Sequence, residues 1–195
     1  CNAGIMALPE LRQSHGYELQ FFTNHIGHFL LVTSLLEQLR QNGRVVVVSS
    51  EAHRRCPAEG IQFDNLSGER GYAPLEAYGQ SKLANLLFTK QLAKRLEGTG
   101  KTANSLHPGV IATRLTRNMN PVAAAALRLA SPLVLKSIPE GAATQCFVAT
   151  HPLMQGVSGK YFADCNELRP NRPARDEDLA EKLWDVSERI VSELG

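Results

Sequence analysis

Residues 44–50 read Arg-Val-Val-Val-Val-Ser-Ser, four valines in a row with a charge before them and two serines behind. A strand with one wet face alternates apolar and polar residues, whereas an unbroken run of β-branched side chains needs cover on both faces. Such a strand belongs to a parallel sheet held between layers of helix. The expected fold is therefore α/β, a doubly wound parallel sheet. Its catalytic or binding residues should lie at the carboxyl ends of the strands, where open α/β sheets place their ligands. Ser49 and Ser50 fall at such an end, although a serine there also serves as an ordinary cap or turn residue.

The rest of the chain supplies matching elements. A helix is expected from Tyr17 to Arg40, with Ser14 or Gly16 at its start and Phe22, Ile26, Phe29, Thr33 and Leu36 on one buried face. Asn42-Gly43 closes it. Pro74 starts a second helix running to Leu96, packed through Leu83, Leu86, Leu87 and Leu92. Lys101–Leu106 is the next strand and runs into His107-Pro108-Gly109, a rigid turn. Helix Glu140–Thr150, strand Gly159–Phe162 and a closing helix from Asp176 to Val191 complete the series. Asp176 caps that last helix, and Leu179, Leu183, Trp184, Val186 and Ile190 form its apolar side. Between Glu51 and Ala73 lies a polar excursion with Pro57, Gly60, Gly68 and Gly71, either a plain surface loop or one wall of a substrate mouth.

Within the second helix, Tyr78-Gly79-Gln80-Ser81-Lys82 sets a phenol and an ammonium four residues apart on one face. A free tyrosine titrates near 10 and is nearly inert at neutrality, so using it as an acid or base means stabilising its phenolate. A shift of about three units needs roughly 4 kcal/mol. One positive charge about 4 Å away at an effective dielectric of about 20 supplies an amount on that order, so Lys82 is sufficient in size. The same spacing also occurs on solvated helix faces, and context must decide. Asn24, inside the first helix, is another polar residue that the local structure alone does not favour.

With 195 residues, 43% of them apolar, and a net charge of +2, the sequence reads as one globular domain spanning 1–195. The near-neutral balance argues against a nucleic-acid surface. Cys1, Cys56, Cys146 and Cys165 are scattered without paired spacing and read as reduced thiols rather than a disulfide framework or a zinc site. His25 and His28 stand three apart without a third ligand, so no metal is expected and both read as surface or interface histidines. The richest apolar stretch, Pro121–Leu135, is broken by Arg128 and Pro132 and is not expected to span a membrane.

Asn2-Ala3-Gly4, Asn24-His25-Ile26-Gly27-His28-Phe29, Val48-Ser49-Ser50, Tyr78–Lys82 and His107-Pro108-Gly109 occur in the order found in short-chain dehydrogenases/reductases. From Cys1 to Val191 the chain resembles the carboxy-terminal two-thirds of that family. It is similar to the branch with the retinol dehydrogenases, WW-domain oxidoreductases and chloroplast-envelope dehydrogenases, mainly through its long connection with Phe63-Asp64-Asn65-Leu66. The family's glycine-rich G-x-G-x-x-G turn and its first strands have no counterpart here, so the expectation is a piece of a longer enzyme, carrying strands four to seven of a 3-2-1-4-5-6-7 sheet.

The resemblance implies a nicotinamide-dependent oxidoreductase, NADP(H) first and NAD(H) second, interconverting an alcohol and a carbonyl. It assigns catalysis to Asn24, Ser50, Tyr78 and Lys82, with Asn24 at a local helix bend anchoring a water that links to Lys82. Cofactor contacts fall to Asn2, Ala3, Gly4, Tyr78, Lys82, Pro108, Gly109, Ile111 and Thr113. Met119–Ile138 corresponds to the family's substrate cover, and its apolar character favours a retinoid, steroid or lipid aldehyde. The small-molecule substrate is the main partner; a homodimer through the two long helices and a membrane-surface contact are further readings, and the location expected is cytoplasmic. The rival class is a cofactor-binding sensor or scaffold with little turnover, or an inactive truncated product.

Overall fold

The computed structural model describes residues 1–111 and 136–194. Among them the elements run β1 (Gln13–Ser14), β2 (Tyr17–Glu18), α1 (Leu19–Phe21), a π turn (Phe22–Ile26), α2 (Gly27–Leu35), β3 (Arg44–Val48), α3 (Pro74–Arg95), β4 (Thr102–His107), α4 (Ile138–Thr150), β5 (Tyr161–Ala163), β6 (Asn166–Leu168) and α5 (Glu177–Leu194). The main sheet has the order β3-β4-β5-β6, parallel at the first two seams and antiparallel at the last. In register, Arg44 faces Thr102 and Val48 faces Leu106. Cys1 runs along the other side of β3, its amino group donating to Val46 O at 2.8 Å and its carbonyl accepting from Val48 N at 2.9 Å.

The valine run does what its composition demands. Val45 and Val47 join Phe29, Phe88, Leu92 and Trp184 on one face of the sheet, while Val46 and Val48 meet Val148, Met154 and Phe162 on the other. Successive residues of a strand point to opposite faces, so the run supplies two cores at once. The α/β class stands, with α4 on one face and α2, α3 and α5 on the other. Every residue of α3 from Tyr78 to Thr89 is buried, with Leu83 and Leu87 packed against Leu183 and Ile190 of α5. Trp184 is a packing residue: its ring lies 4.9 Å from Phe29 and 5.8 Å from Phe88, under the Arg95 guanidinium.

The expected single helix from Tyr17 to Arg40 is corrected. Ser14 does not cap it but ends β1; the cap is Glu18, whose carboxylate accepts from Gln20 N at 3.0 Å and Phe21 N at 2.8 Å. After one turn the helix widens into the π turn, where Gly27 N–H reaches back to Phe22 O, and a short 3₁₀ turn at Leu36–Gln38 ends it. The extra residue changes the phase, so the buried side is Phe21, Asn24, His25, Ile26, His28, Phe29 and Val32, while Phe22, Thr33 and Leu36 are only half-buried. His25 and His28 are therefore core residues and not surface ones, 0% and 5% exposed. Among the described residues no group of histidine, cysteine and carboxylate side chains has the makings of a metal site. The four cysteines are free thiols.

The excursion after β3 is less polar in space than in sequence. It carries 3₁₀ turns at Glu51–Arg55 and Phe63–Asn65, and it buries Ile61 and Leu66 beside Leu83 of α3. No described helix is long and apolar enough to cross a membrane.

Candidate active site

The predicted residues gather where β3 ends against the first turns of α3. Ser50 caps the Glu51–Arg55 turn, its hydroxyl accepting from Ala52 N at 3.2 Å. Its carbonyl accepts from His53 Nδ1, 2.7 Å away, and the Nε2 of that fully buried ring accepts from Asn171 N at 3.4 Å. These partners place the proton of His53 on Nδ1. The turn then sits directly on α3 because residue 79 is glycine: a Cβ there would stand 2.7 Å from Ala52 O and 2.9 Å from Arg55 C. Gly79→Ala gains about 1 kcal/mol of helix propensity but forces two backbone segments apart. Over-packing outweighs the gain, and a net loss of about 1–2 kcal/mol is expected in a urea titration, with Ser50 displaced from Tyr78.

Asn24 lies in the middle of the π turn, at the helix irregularity expected for it. Its Oδ1 accepts from Ile5 N at 2.9 Å, and its Nδ2 donates to Ile5 O and to Ser81 Oγ, both at 2.9 Å. Ser81 Oγ in turn donates to Tyr78 O at 2.8 Å. Both amide hydrogens of Asn24 are thus spent on protein atoms, tying the opening segment to α3. Asn2-Ala3-Gly4 crosses this cluster so closely that a Cβ on Gly4 would lie 3.1 Å from Asn24 Oδ1 and 3.6 Å from Lys82 Nζ.

Tyr78 and Lys82 are 5% and 4% exposed. The ammonium donates to Val48 O at 3.2 Å and sits 5.7 Å from the centroid of the Tyr78 ring. Asn85 Nδ2 donates to the same carbonyl at 3.1 Å, and Ser49 Oγ donates to Lys82 O at 2.8 Å. Burial pushes the Lys82 pKa down to about 8. With the ammonium on Val48, burial raises the Tyr78 pKa above its usual value, and a hydrogen bond to Ser50 pulls the other way. In this arrangement desolvation of the phenolate outweighs the Ser50 hydrogen bond, and the lysine is turned toward Val48.

Beyond β4, Gly109 has φ +88°, and a Cβ on it would come within 2.6 Å of Lys136 Cδ. Ile111 pairs with Lys136 as an isolated parallel bridge, and Lys136 forms an ion pair with Asp164. Pro108, Gly109 and Ile111 are thus held at the sheet's carboxyl end, as predicted. Thr113 and residues 119–135 of the expected cover lie outside the described residues. His107 accepts from Glu51 N at 3.3 Å, and burial lowers its pKa.

Sequence reasoning gave no role to His53, Ser81 and Asn85, and left Ser49 beside Ser50 without one; all four are buried and bonded to a predicted site residue or its neighbour. For Ser81 and Asn85 the usable signal was polarity on the helix face shared with Tyr78 and Lys82. His53 had none, because it reaches Ser50 only through the 3₁₀ geometry.

The family model for short chain dehydrogenases matches residues 1–123. The chain belongs to that family. Among curated members, it is 46% identical over 202 residues to the chloroplastic short-chain dehydrogenase TIC 32 B of Brassica napus, covering 99% of this chain and 63% of that one. It is 45% identical over 194 residues to retinol dehydrogenase 14 of Homo sapiens, covering 97% and 57%. These are members of the retinol dehydrogenase-like branch, and the chain spans about three-fifths of their length. An uncharacterised protein from Mycobacterium Paratuberculosis superposes with a TM-score of 0.75 at 32% identity over 98% of this chain and 65% of its own. A blue fluorescent protein from a metagenomic library, solved in complex with NADPH, gives a TM-score of 0.61 at 25% identity, covering 83% and 60%.

The residues present suit the nicotinamide-ribose end of the family's cofactor. Lys82 has donor capacity beyond its bond to Val48, Gly4 brings side-chain-free backbone close to its ammonium, and no G-x-G-x-x-G occurs in the sequence to take the pyrophosphate.

Proposed function

We propose that the protein is an NADP(H)-linked oxidoreductase interconverting an alcohol and a carbonyl on a lipophilic small molecule. The observation that carries this reading is the meeting of Ser50, Tyr78 and Lys82 at the carboxyl end of β3, seated by the Gly79 contact and backed by Asn24 through Ser81. The lipophilic substrate is favoured by relatives named retinol dehydrogenase, and NADP(H) by a similar protein solved with NADPH.

In carbonyl reduction, Ser50 donates its hydroxyl to the carbonyl oxygen and fixes that oxygen beside Tyr78. The buried phenol, its pKa raised, keeps its proton at neutral pH and passes it to the same oxygen. When bound, the nicotinamide supplies the hydride to the carbonyl carbon. Lys82, its pKa pushed down to about 8 by burial, is charged at neutrality and would hold the ribose and stabilise the phenolate left behind. Asn2, Ala3 and Gly4 would line the ribose side, and Pro108, Gly109, Ile111 and Thr113 the nicotinamide side.

The direct test is oxidation of NADPH, with NADH alongside, by the full-length protein against retinal, a steroid ketone and a series of medium-chain aldehydes. Turnover with an apolar carbonyl and preference for NADPH are expected. Tight NADPH binding without turnover of any compound would sink the reductase reading and leave a cofactor-binding sensor. The ammonium is lost as pH rises through about 8, so the reductase rate is expected to fall on that alkaline limb.

A further inference from the structure

We propose that Asn85 is a positioning residue that allows Lys82 to leave the Val48 carbonyl, an inference that rests on the oxidoreductase reading, in which the ammonium has to serve the phenol and the ribose. The Val48 oxygen receives two donors from α3, Lys82 Nζ at 3.2 Å and Asn85 Nδ2 at 3.1 Å. The two side chains stand three apart on one helix face, and both are buried. A carbonyl oxygen has two lone pairs and accommodates both. Were Lys82 its sole donor, each departure of the ammonium would strand a buried acceptor and incur its full desolvation penalty. With Asn85 in place, the oxygen stays satisfied while the ammonium swings away. Ser49 Oγ, bonded to Lys82 O at 2.8 Å, keeps β3 and α3 together independently of the lysine side chain.

Behind Asn85 lies the buried ring of His25. His25 Nε2 lies 2.8 Å from Ser187 Oγ on α5, while His25 Nδ1 and Asn85 Oδ1 are buried without a hydrogen-bond partner. Asn85 is also the hydrogen-bonding group that opposes the downward shift of the His25 pKa. Ser187 Oγ donates its one proton to Leu183 O at 2.7 Å, so His25 Nε2–H donates to Ser187 Oγ and Nδ1 carries no proton. The Asn85 amide is oriented by its own Nδ2 bond to Val48 O. The other titratable groups near Lys82 are Tyr78 on α3, His28 on α2 and the amino group of Cys1 in the opening segment. Asn85 is neutral and acts on the lysine through the shared oxygen.

The test compares the wild type with Asn85→Leu and Asn85→Ser, each checked for folding by thermal melt. Carbon-13 NMR of lysine Cε in the cofactor-free protein follows the titration of Lys82, assigned by its loss in Lys82→Met. The wild-type signal is expected to titrate near 8. In Asn85→Leu the ammonium gains sole possession of the carbonyl, so its titration should move up by at least about half a unit and the NADPH Kd should rise about tenfold. Asn85→Ser keeps a donor and should fall between, and it carries the test if the leucine variant does not fold. A Lys82 titration that is unmoved or lowered in the Asn85 variants overturns the proposal. A displaced titration in a protein that turns nothing over refutes the oxidoreductase reading alone and leaves the role of Asn85 standing.

Discussion

Tyr78→Phe is expected to lower kcat for carbonyl reduction by about 10²–10⁴-fold, the range for removal of a positioned general acid. NADPH binding should stay close to the wild-type value, because only a phenolic oxygen is lost and Lys82, the residue proposed to hold the ribose, is untouched. The fold should also be spared. The backbone of Tyr78 is tied by Ser81, and the ring keeps its volume. A large kcat effect with a small KM effect separates a proton donor from a residue that merely packs. Retention of wild-type turnover within about threefold would remove Tyr78 from the reaction and with it the mechanism given above.

Acidification is expected to unfold the protein between about pH 5 and 4, driven by two core histidines. His25 is wholly buried with its pKa held down to about 3, and His28 is held down to about 4 by burial and neighbouring positive charge. A group whose folded pKa lies below its unfolded value binds fewer protons when folded, so stability rises with pH between the two values. The stabilisation is complete above about 6.5 and is lost as pH falls toward 4 and 3. At about 1.4 kcal/mol per unit, the pair together withdraws on the order of 5 kcal/mol at pH 4, comparable to the whole stability of many domains. Glu18 works in the opposite direction, since its buried carboxyl has a raised pKa. Circular dichroism against pH should show the transition, and His25→Phe should shift its midpoint downward. An unchanged midpoint in that variant would assign the acid transition to other groups.

What the sequence revealed and what it hid follow a physical division. Val45–Val48 announced a strand covered on both faces because two-sided burial leaves a compositional mark that no turn or loop produces. Tyr78 and Lys82 were legible because a helix converts a spacing of four into adjacency. The long first helix was misread because hydrophobic periodicity assumes one phase, and the π turn at Phe22–Ile26 breaks that assumption without any proline or glycine to mark it. His25 and His28 were misplaced for the same reason, and because a neutral imidazole can enter a core at a cost that single-sequence reasoning does not register. The raised Tyr78 pKa was hidden because the sequence gives the distance along a helix but not the direction in which a flexible lysine points or how much water the phenol loses. His53 reaches Ser50 only through the local 3₁₀ geometry of the Glu51–Arg55 turn.

The π turn also divides the labour of one continuous rod. An unbroken α-helix presents a single stripe, so a side chain aimed at α3 and another aimed at the sheet would compete for one heading. Widening by one residue resets the heading partway along: Asn24 faces Ile5 and Ser81, while Phe29, farther on, meets Phe88, Trp184 and the valines of β3. The segment therefore behaves as two short rods welded out of phase. Its length is as fixed as its composition, since losing a single residue there would swing one of the two ends off its target even if every side chain were kept.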